Sequence, residues 1–245
     1  MKHSDSCTVD IVRFNPRGNH DLTQQVVKCY QEVFADDPWN EWKKCPICKE
    51  YWGRKDEKYL KETDFIHCNV PVEDFWSDEE VIKDLLHEIN QDKFAWVGIE
   101  RHTGRAISFC WGYPIQVSQL EEKLGIAFRK ELMDTCGDVN VVAYQDDMGI
   151  LPKFRSKPLV SSFSIDGVHF AGPIPIARAM FLKRFGDFLQ EGLRVGVVRT
   201  RERPVSSKTY EWFTKKLGYS IIVKYPGEDG RVILARKYSK LLEII

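Results

Sequence analysis

Two periods of apolar residues alternate along this chain, and that alternation narrows the folds open to it. Residues 8–14, TVDIVRF, alternate apolar and polar as a half-buried strand does. Leu22, Val26, Val27, Tyr30, Val33 and Phe34 then form one helical stripe, with Asp21 as a cap and Gln24 at the reciprocal position. The stripe stops at ADDPWNEW, because Pro38 cannot continue the helical ladder. A second helix is predicted from Ser77, with Glu80 completing a capping box over Val81, Ile82, Leu85, Leu86 and Ile89. KFAWVGIE and RAISFCWGYPI read as a hairpin around RHTGR. Leu120, Leu124, Phe128 and Leu132 predict one further helix ahead of a strand at 141–151.

The last third keeps the alternation. Residues 175–191 are predicted helical and RVGVVRT is a short buried strand. Ser206 caps a helix carrying Tyr210, Phe213 and Leu217 that stops at Gly218, and YSIIVKYP with RVILARKY closes as a hairpin around GEDG. The order β-α-insert-α-β-β-α-β-α-β-α-β-β is that of an α/β chain with a mixed sheet, read here as a single domain spanning 1–245.

The insert, residues 42–70, differs in composition: WKKCPICKEYWGRKDEKYLKETDFIHC is charged and poor in aliphatic residues. Cys45 and Cys48 have the C-x2-C spacing that lets two thiolates grip one tetrahedral metal, and His67 with Cys68 completes C-x2-C-x18-H-C. A structural zinc is one reading, since small inserts without a core need such a clip to fold. Three reduced thiols on a loop, or a redox pair at Cys45 and Cys48, are the others. Cys29 and Cys110 lie in apolar patterns and read as core residues.

Charge and hydropathy remove several functions. Lys plus Arg and Asp plus Glu balance at 36 each, so no net field draws the chain to nucleic acid or an anionic membrane. No run approaches the roughly 18 apolar residues of a membrane span. The N-terminal MKHSDSCTVDIVRF lacks the apolar core of a signal peptide. With seven cysteines, an odd number, a reducing cytoplasmic setting is expected.

One stretch, DDMGILPKFRSKPLVSSF at 146–163, resembles the fourth strand and cofactor loop of the GNAT acyltransferase family, where V-x-P-x-[YF]-R is typical. VVRTRERPVSSKTYEWFTKKLGYSIIVKYPGEDGRVILARKY is similar to that family's closing β-α-β-β segment, and the opening strand and helix ending YQEVFADDPWNEW are similar to its first unit. The resemblance implies a mixed, mostly antiparallel central sheet flanked by helices, the acyl-CoA N-acyltransferase fold. It also implies acetyl-CoA as cosubstrate and an amine as acceptor.

Such a loop offers successive backbone N–H groups and a helix N-terminus to a pyrophosphate. Read without a gap, the chain departs from the family's [RQ]-x-x-G-x-[GA] at both glycine positions, at Pro158 and Val160. Read with 158–174 as an insertion, Arg155, Ser156 and Lys157 continue directly into PIARAMF, with Ala177 at the second small position. Cofactor contacts are then expected from Ile150, Leu151, Arg155, Ser156, Lys157, Ala177 and Arg178.

For the transfer step, the resemblance points to Asp146 as base, with Asp147 as the alternative. As neighbours in a strand they would face opposite sides of the sheet. The family's usual tyrosine in the last helix is Thr214 here, a departure, with Tyr210 one turn earlier as a substitute. Trp39, Asn40 and Trp42 fall where the family lines its acceptor pocket, although packing explains them equally well. The expected function is N-acetyl transfer from acetyl-CoA to an amine of a small molecule or protein. The alternative is a catalytically degenerate relative acting as a metal-stabilised interaction module. Oligomeric state stays open, a homodimer among the options.

Overall fold

A computed structural model describes residues 8–37, 39–89, 94–155, 158–159, 163–165, 168–170, 174–202, 208–227 and 230–238. The chain forms two compact units. The first comprises 1–109, 149–163 and 170–180, and the second 110–148, 164–169 and 181–245.

In the first unit, β1 (Val9–Arg13) pairs antiparallel with β2 (Trp96–Glu100) in the register Val9↔Glu100 to Arg13↔Trp96. Before β2 in the chain come α1 (His20–Phe34) and α2 (Asp78–Glu88). The N-cap of α1 is Asn19, whose side chain accepts from the Leu22 amide, and not Asp21 as the capping pattern suggested. Asparagine at 19 outcompetes because its carbonyl reaches the third amide while Asp21 already lies inside the first turn. The predicted stripe of α1 is buried from Val26 to Phe34, with Tyr30 stacked on Phe109 at 5.5 Å and edge-on to Trp76 at 5.7 Å. The capping box of α2 forms as read, Ser77 and Glu80 exchanging backbone and side-chain bonds.

Strand β3 (Arg105–Cys110) follows, and then β4 (Tyr113–Gln116). The expected single helix after β4 is two, α3 (Val117–Leu124) and α4 (Arg129–Cys136). Gly125 ends α3 at φ 67°, in the left-handed region where glycine meets no Cβ penalty. The expected strand at 141–151 is also two, β5 (Val141–Tyr144) and β6 (Met148–Ile150), interrupted at Gln145–Asp147. The four-stranded sheet runs β1-β2-β3-β6. Gly149 sits where any side chain would strike the Phe109 ring.

Helix α5 (Ile176–Gln190) precedes β7 (Val195–Arg201). A short helix α6 (Lys208–Glu211) passes into a π-turn at Trp212–Lys216, and β8 (Ser220–Lys224) with β9 (Arg231–Lys237) closes the chain. The second unit is built on a five-stranded sheet in the order β8-β9-β7-β5-β4. Its β5–β7 pairing is parallel, and its other pairings are antiparallel. Val117, Leu120, Phe128 and Leu132 from α3 and α4 pack with Val142, Val197 and Ile233 from the sheet, all fully buried. Each such side chain taken from water contributes roughly 1.5–3 kcal/mol. Ser206, expected to cap α6, lies outside the described residues.

Candidate functional site

Three groups of residues emerge: the strand and turn leading to the first turn of α5, the break between β5 and β6, and the insert. In the first group, Ile150 and Leu151 are buried at the end of β6, and Leu151 donates its amide to the Ile107 carbonyl at 2.9 Å. Pro152–Phe154 then forms a 3-10 turn. The Arg155 guanidinium folds back, its Nε on the Ile150 carbonyl and one terminal nitrogen on the Asp37 carbonyl, both at 3.1 Å. Burial holds its pKa below the usual guanidinium value, opposed by Asp36 and Asp37. In this arrangement Arg155 fastens the end of β6 to the end of α1.

Ser156 and Lys157 lie outside the described residues. Just beyond them, Pro158 and Leu159 pair antiparallel with Pro175 and Ile174. The chain that leaves after 157 is thus brought back beside its exit, and α5 starts at once with Ile176, Ala177 and Arg178. Ala177 and Arg178 are half-buried in that first turn.

At the break, Gln145 continues the ladder by donating to the Val197 carbonyl, and Trp111 donates to that of Asp147, both at 2.9 Å. The two acids therefore occupy an interruption and not a regular strand, so simple alternation of faces does not govern them. Asp146 is nearly enclosed, its side chain 9% exposed, and its Oδ2 accepts from Tyr113 at 2.9 Å and Lys123 at 2.8 Å. Lys123 also reaches the Tyr113 hydroxyl. Sequence reasoning missed both partners. Lys123 precedes the C-terminal end of α3 and looks like an ordinary exposed helix lysine.

Behind the break lies a fully buried charge. Arg184 of α5 donates to the Trp111 carbonyl at 2.7 Å, to the Asp147 carbonyl at 3.0 Å and to Gln145 Oε1 at 3.0 Å. Gln145 in turn donates to the hydroxyl of Tyr219, whose pKa burial pushes up to about 12. Carbonyls released by an interrupted ladder need donors when buried, and a guanidinium supplies several in fixed geometry. No sequence pattern pointed to Arg184, because its position within an apolar helix stripe is unremarkable until the break is seen.

Tyr210 is half-buried in α6, and the Thr214 hydroxyl donates to its carbonyl at 2.8 Å. That bond commits the Thr214 proton to the helix backbone. Of the expected acceptor residues, Trp39 packs on Phe34 at 5.5 Å. Asn40 adopts φ 57° and donates to Asp37 at 3.0 Å. Trp42 lines a cleft of about 150 Å³, together with Trp76, Lys28, Glu32, Glu41 and Arg54. Those charges are engaged: Glu32 pairs with Arg105, Lys28 with Asp78 at 2.8 Å, Glu41 accepts from Trp76 at 3.0 Å, and Arg54 lies over Trp42 at 4.9 Å.

The insert brings Cys45, Cys48, His67 and Cys68 together, one ligand atom from each lying within 4.8 Å of the others. Burial opposes ionisation of Cys45, yet the Cys48 amide, the His67 side chain and the Ile47 amide pull its thiol down to about 6. Cys48 beside it, burial and Cys45 push the Cys68 thiol up to about 11. Cys29 and Cys110 are buried in apolar surroundings, as read.

The architecture is that of the GNAT acyl-CoA N-acyltransferase fold. Among solved structures, the chain is similar to the polyamine N-acetyltransferase of Drosophila melanogaster, an enzyme that forms N-acetylagmatine. The TM-score is 0.51 at 10% identity, covering 94% of this chain and 99% of that one. It is equally similar to a yellow fever mosquito protein named arylalkylamine N-acetyltransferase 7, with TM-score 0.51 and 10% identity over 94% and 87% of the two chains. No family model and no curated protein matches the sequence. No described helix is long and apolar enough to cross a membrane.

Proposed function

We propose that this protein is an N-acetyltransferase that moves the acetyl group of acetyl-CoA to an amine. The observation that carries the reading is the path from β6 into α5. A strand end leads through a tight turn, and the excursion after residue 157 closes on itself at Pro158 and Pro175. The helix N-terminus at Ile176–Arg178 begins directly after that pairing, which supports reading the turn and the helix as one cofactor loop. A helix N-terminus there presents backbone N–H groups and partial positive charge, which suits the cosubstrate's pyrophosphate. Ile150, Leu151, Ala177 and Arg178 are the contacts in this proposal, with Ser156 and Lys157 completing the loop.

In the transfer step an amine nitrogen bonds to the thioester carbonyl carbon, the carbon–sulfur bond breaks, and the amine proton must leave as the thiolate gains one. We assign Asp146 as the proton acceptor, with Tyr113 and Lys123 fixing its carboxylate through Oδ2, and Asp147 as the second choice. Tyr210 is the proposed proton donor, since the Thr214 hydroxyl already serves the Tyr210 carbonyl. The acceptor class is read as a small amine. The two structural neighbours are named for small-amine acetylation, and the cleft at Trp42 and Trp76 combines aromatic faces with Glu32 and Glu41. The proposed setting is cytoplasmic, where thiols stay reduced.

Calorimetric titration with acetyl-CoA tests the reading: saturable heat is expected, and none at millimolar cosubstrate overturns it. Asp146→Asn should lower kcat on the order of 10²-fold and flatten the pH profile, the range usual for losing a general base. Unchanged kinetics would move that role elsewhere. A second reading, a degenerate relative acting as an interaction module, draws on Arg155 being bound to two backbone carbonyls. Absence of acetyl-CoA binding would favour it.

A further inference from the structure

The insert holds a geometry that the transfer reaction does not use. Residues 43–74 are short pieces: Lys43–Lys44 paired with Tyr51–Trp52 and with Glu73–Asp74, the helix Glu57–Glu62, and Ile66–His67 paired with Val70–Pro71. Their cluster of buried side chains consists of Cys45, Trp52 and Leu60, edged by Trp42, Phe65, Val70 and Val72. An apolar cluster of that size does not offset the conformational entropy of ordering some thirty residues, at roughly 1–2 kcal/mol of backbone each. Something else must hold these pieces.

Two turns meet at the tip. In the first, Cys45 donates its amide to Glu50 at 2.8 Å and Lys49 donates back to Cys45 at 3.1 Å, folding Cys45–Cys48 into a tight knuckle. In the second, Cys68 and Asn69 form the two-residue loop of the hairpin at φ 51° and 60°. Such a loop favours Asn-Gly, so a cysteine held there at positive φ carries a steric cost that other interactions must offset.

The two distances from His67 to cysteine sulfurs suit a shared ion, and all four ligand atoms lie within 4.8 Å of one another. Tetrahedral zinc with Zn–S about 2.3 Å and Zn–N about 2.0–2.1 Å places sulfur and nitrogen ligands about 3.6 Å apart. His67 Nδ1 lies 3.6 Å from Cys48 Sγ and 3.4 Å from Cys68 Sγ. The opposite ring nitrogen, Nε2, faces Glu50 Oε2 at 3.4 Å. A ligating histidine commonly gives its second N–H to a carboxylate, which sets its tautomer. The ring also rests edge-on to Trp52 at 5.0 Å.

We propose that Cys45 Sγ, Cys48 Sγ, Cys68 Sγ and His67 Nδ1 bind one structural Zn²⁺ that locks residues 43–74, with Glu50 orienting His67. Four protein ligands fill the tetrahedron and leave no position for a reacting molecule, so the ion is a clip and not a catalyst. The site is independent of acetyl transfer and stands whether or not that reading does.

The test uses the full-length protein purified without chelator. Elemental analysis should find one zinc per chain. Exchange for Co²⁺ should give the tetrahedral visible bands and thiolate charge-transfer absorption of a site with three sulfur ligands and one nitrogen. Glu50→Gln should keep that stoichiometry while weakening Zn²⁺ affinity on the order of 10–100-fold. His67→Ala should alter the cobalt spectrum. If His67→Ala fails to fold, the wild-type and Glu50→Gln spectra still decide. Protein that arrives metal-free, takes up no Co²⁺ and loses two hydrogens of mass on mild oxidation overturns the proposal in favour of a Cys45–Cys48 redox pair.

Discussion

The insert at 43–74 and the five-stranded sheet spend similar lengths of chain on opposite means of cohesion. The sheet unit buries Val117, Leu120, Phe128 and Leu132 against Val142, Val197 and Ile233, a continuous apolar layer under two helices. The insert buries Trp52 and Leu60 around Cys45 and otherwise converges polar atoms on one point. A distributed core loses stability side chain by side chain, whereas a clip is held or lost as a unit. The break between β5 and β6 stands between these extremes, since one buried arginine there serves three acceptors.

Chelation is the largest perturbation expected. On the proposal above, removing the metal should abolish hydrogen-exchange protection across 43–74 while leaving Val195–Arg201 and Arg231–Lys237 protected, because structural zinc binding and local folding are one equilibrium. Equal loss in both regions would erase the contrast. Next comes Phe128→Ala, which leaves a cavity under the sheet and should cost on the order of 3–5 kcal/mol by denaturant titration. Zinc content should be unchanged, and a variant that also sheds metal would show the two regions to be coupled.

Arg184→Met should cost roughly 2–4 kcal/mol, since the Trp111 carbonyl and the Gln145 amide oxygen lose the Arg184 donor in a buried setting and the Asp147 carbonyl keeps only the Trp111 amide. A loss below about 0.5 kcal/mol, within the range of ordinary surface substitutions, would mean that water or another group satisfies them. The smallest effect belongs to Asp78→Asn. Lys28 and Gln31 hold the Asp78 carboxyl below its usual range. That pairing stabilises the folded state above the unfolded carboxyl value near 4 and fades as pH falls through the lower folded value. The side chain is 39% exposed, so after solvent screening the difference from wild type should be about 0.5 kcal/mol at neutral pH. It should vanish in acid, and a difference that persisted there would assign the effect to lost helix capping.

The candidate residues that could be named from the sequence are those whose signals are local. The C-x2-C spacing and the His-Cys pair were readable, since two ligands per turn are set by chain geometry. A proline and a valine standing where small residues belong suggested an excursion at 158–174, and the pairing of Pro158 with Pro175 supports that reading. The two acids could be singled out in the sequence, but their setting could not. Tyr113 and Lys123 lie thirty-three and twenty-three residues from Asp146, and no periodicity links them. Arg184 and Glu50 stayed invisible for the same reason, each defined by what it faces.

By itself the sequence determined the alternation of strands and helices and the capping box at Ser77, both set by neighbours a few residues away. Tertiary structure alone decided the split of the 117–136 helix region and the interruption at Gln145–Asp147. It also decided which ring nitrogen of His67 meets the sulfurs. An interrupted strand survives only if distant donors satisfy the carbonyls it releases, and a metal site exists only if two separate turns meet. Both conditions are long-range, and a chain read residue by residue does not contain them.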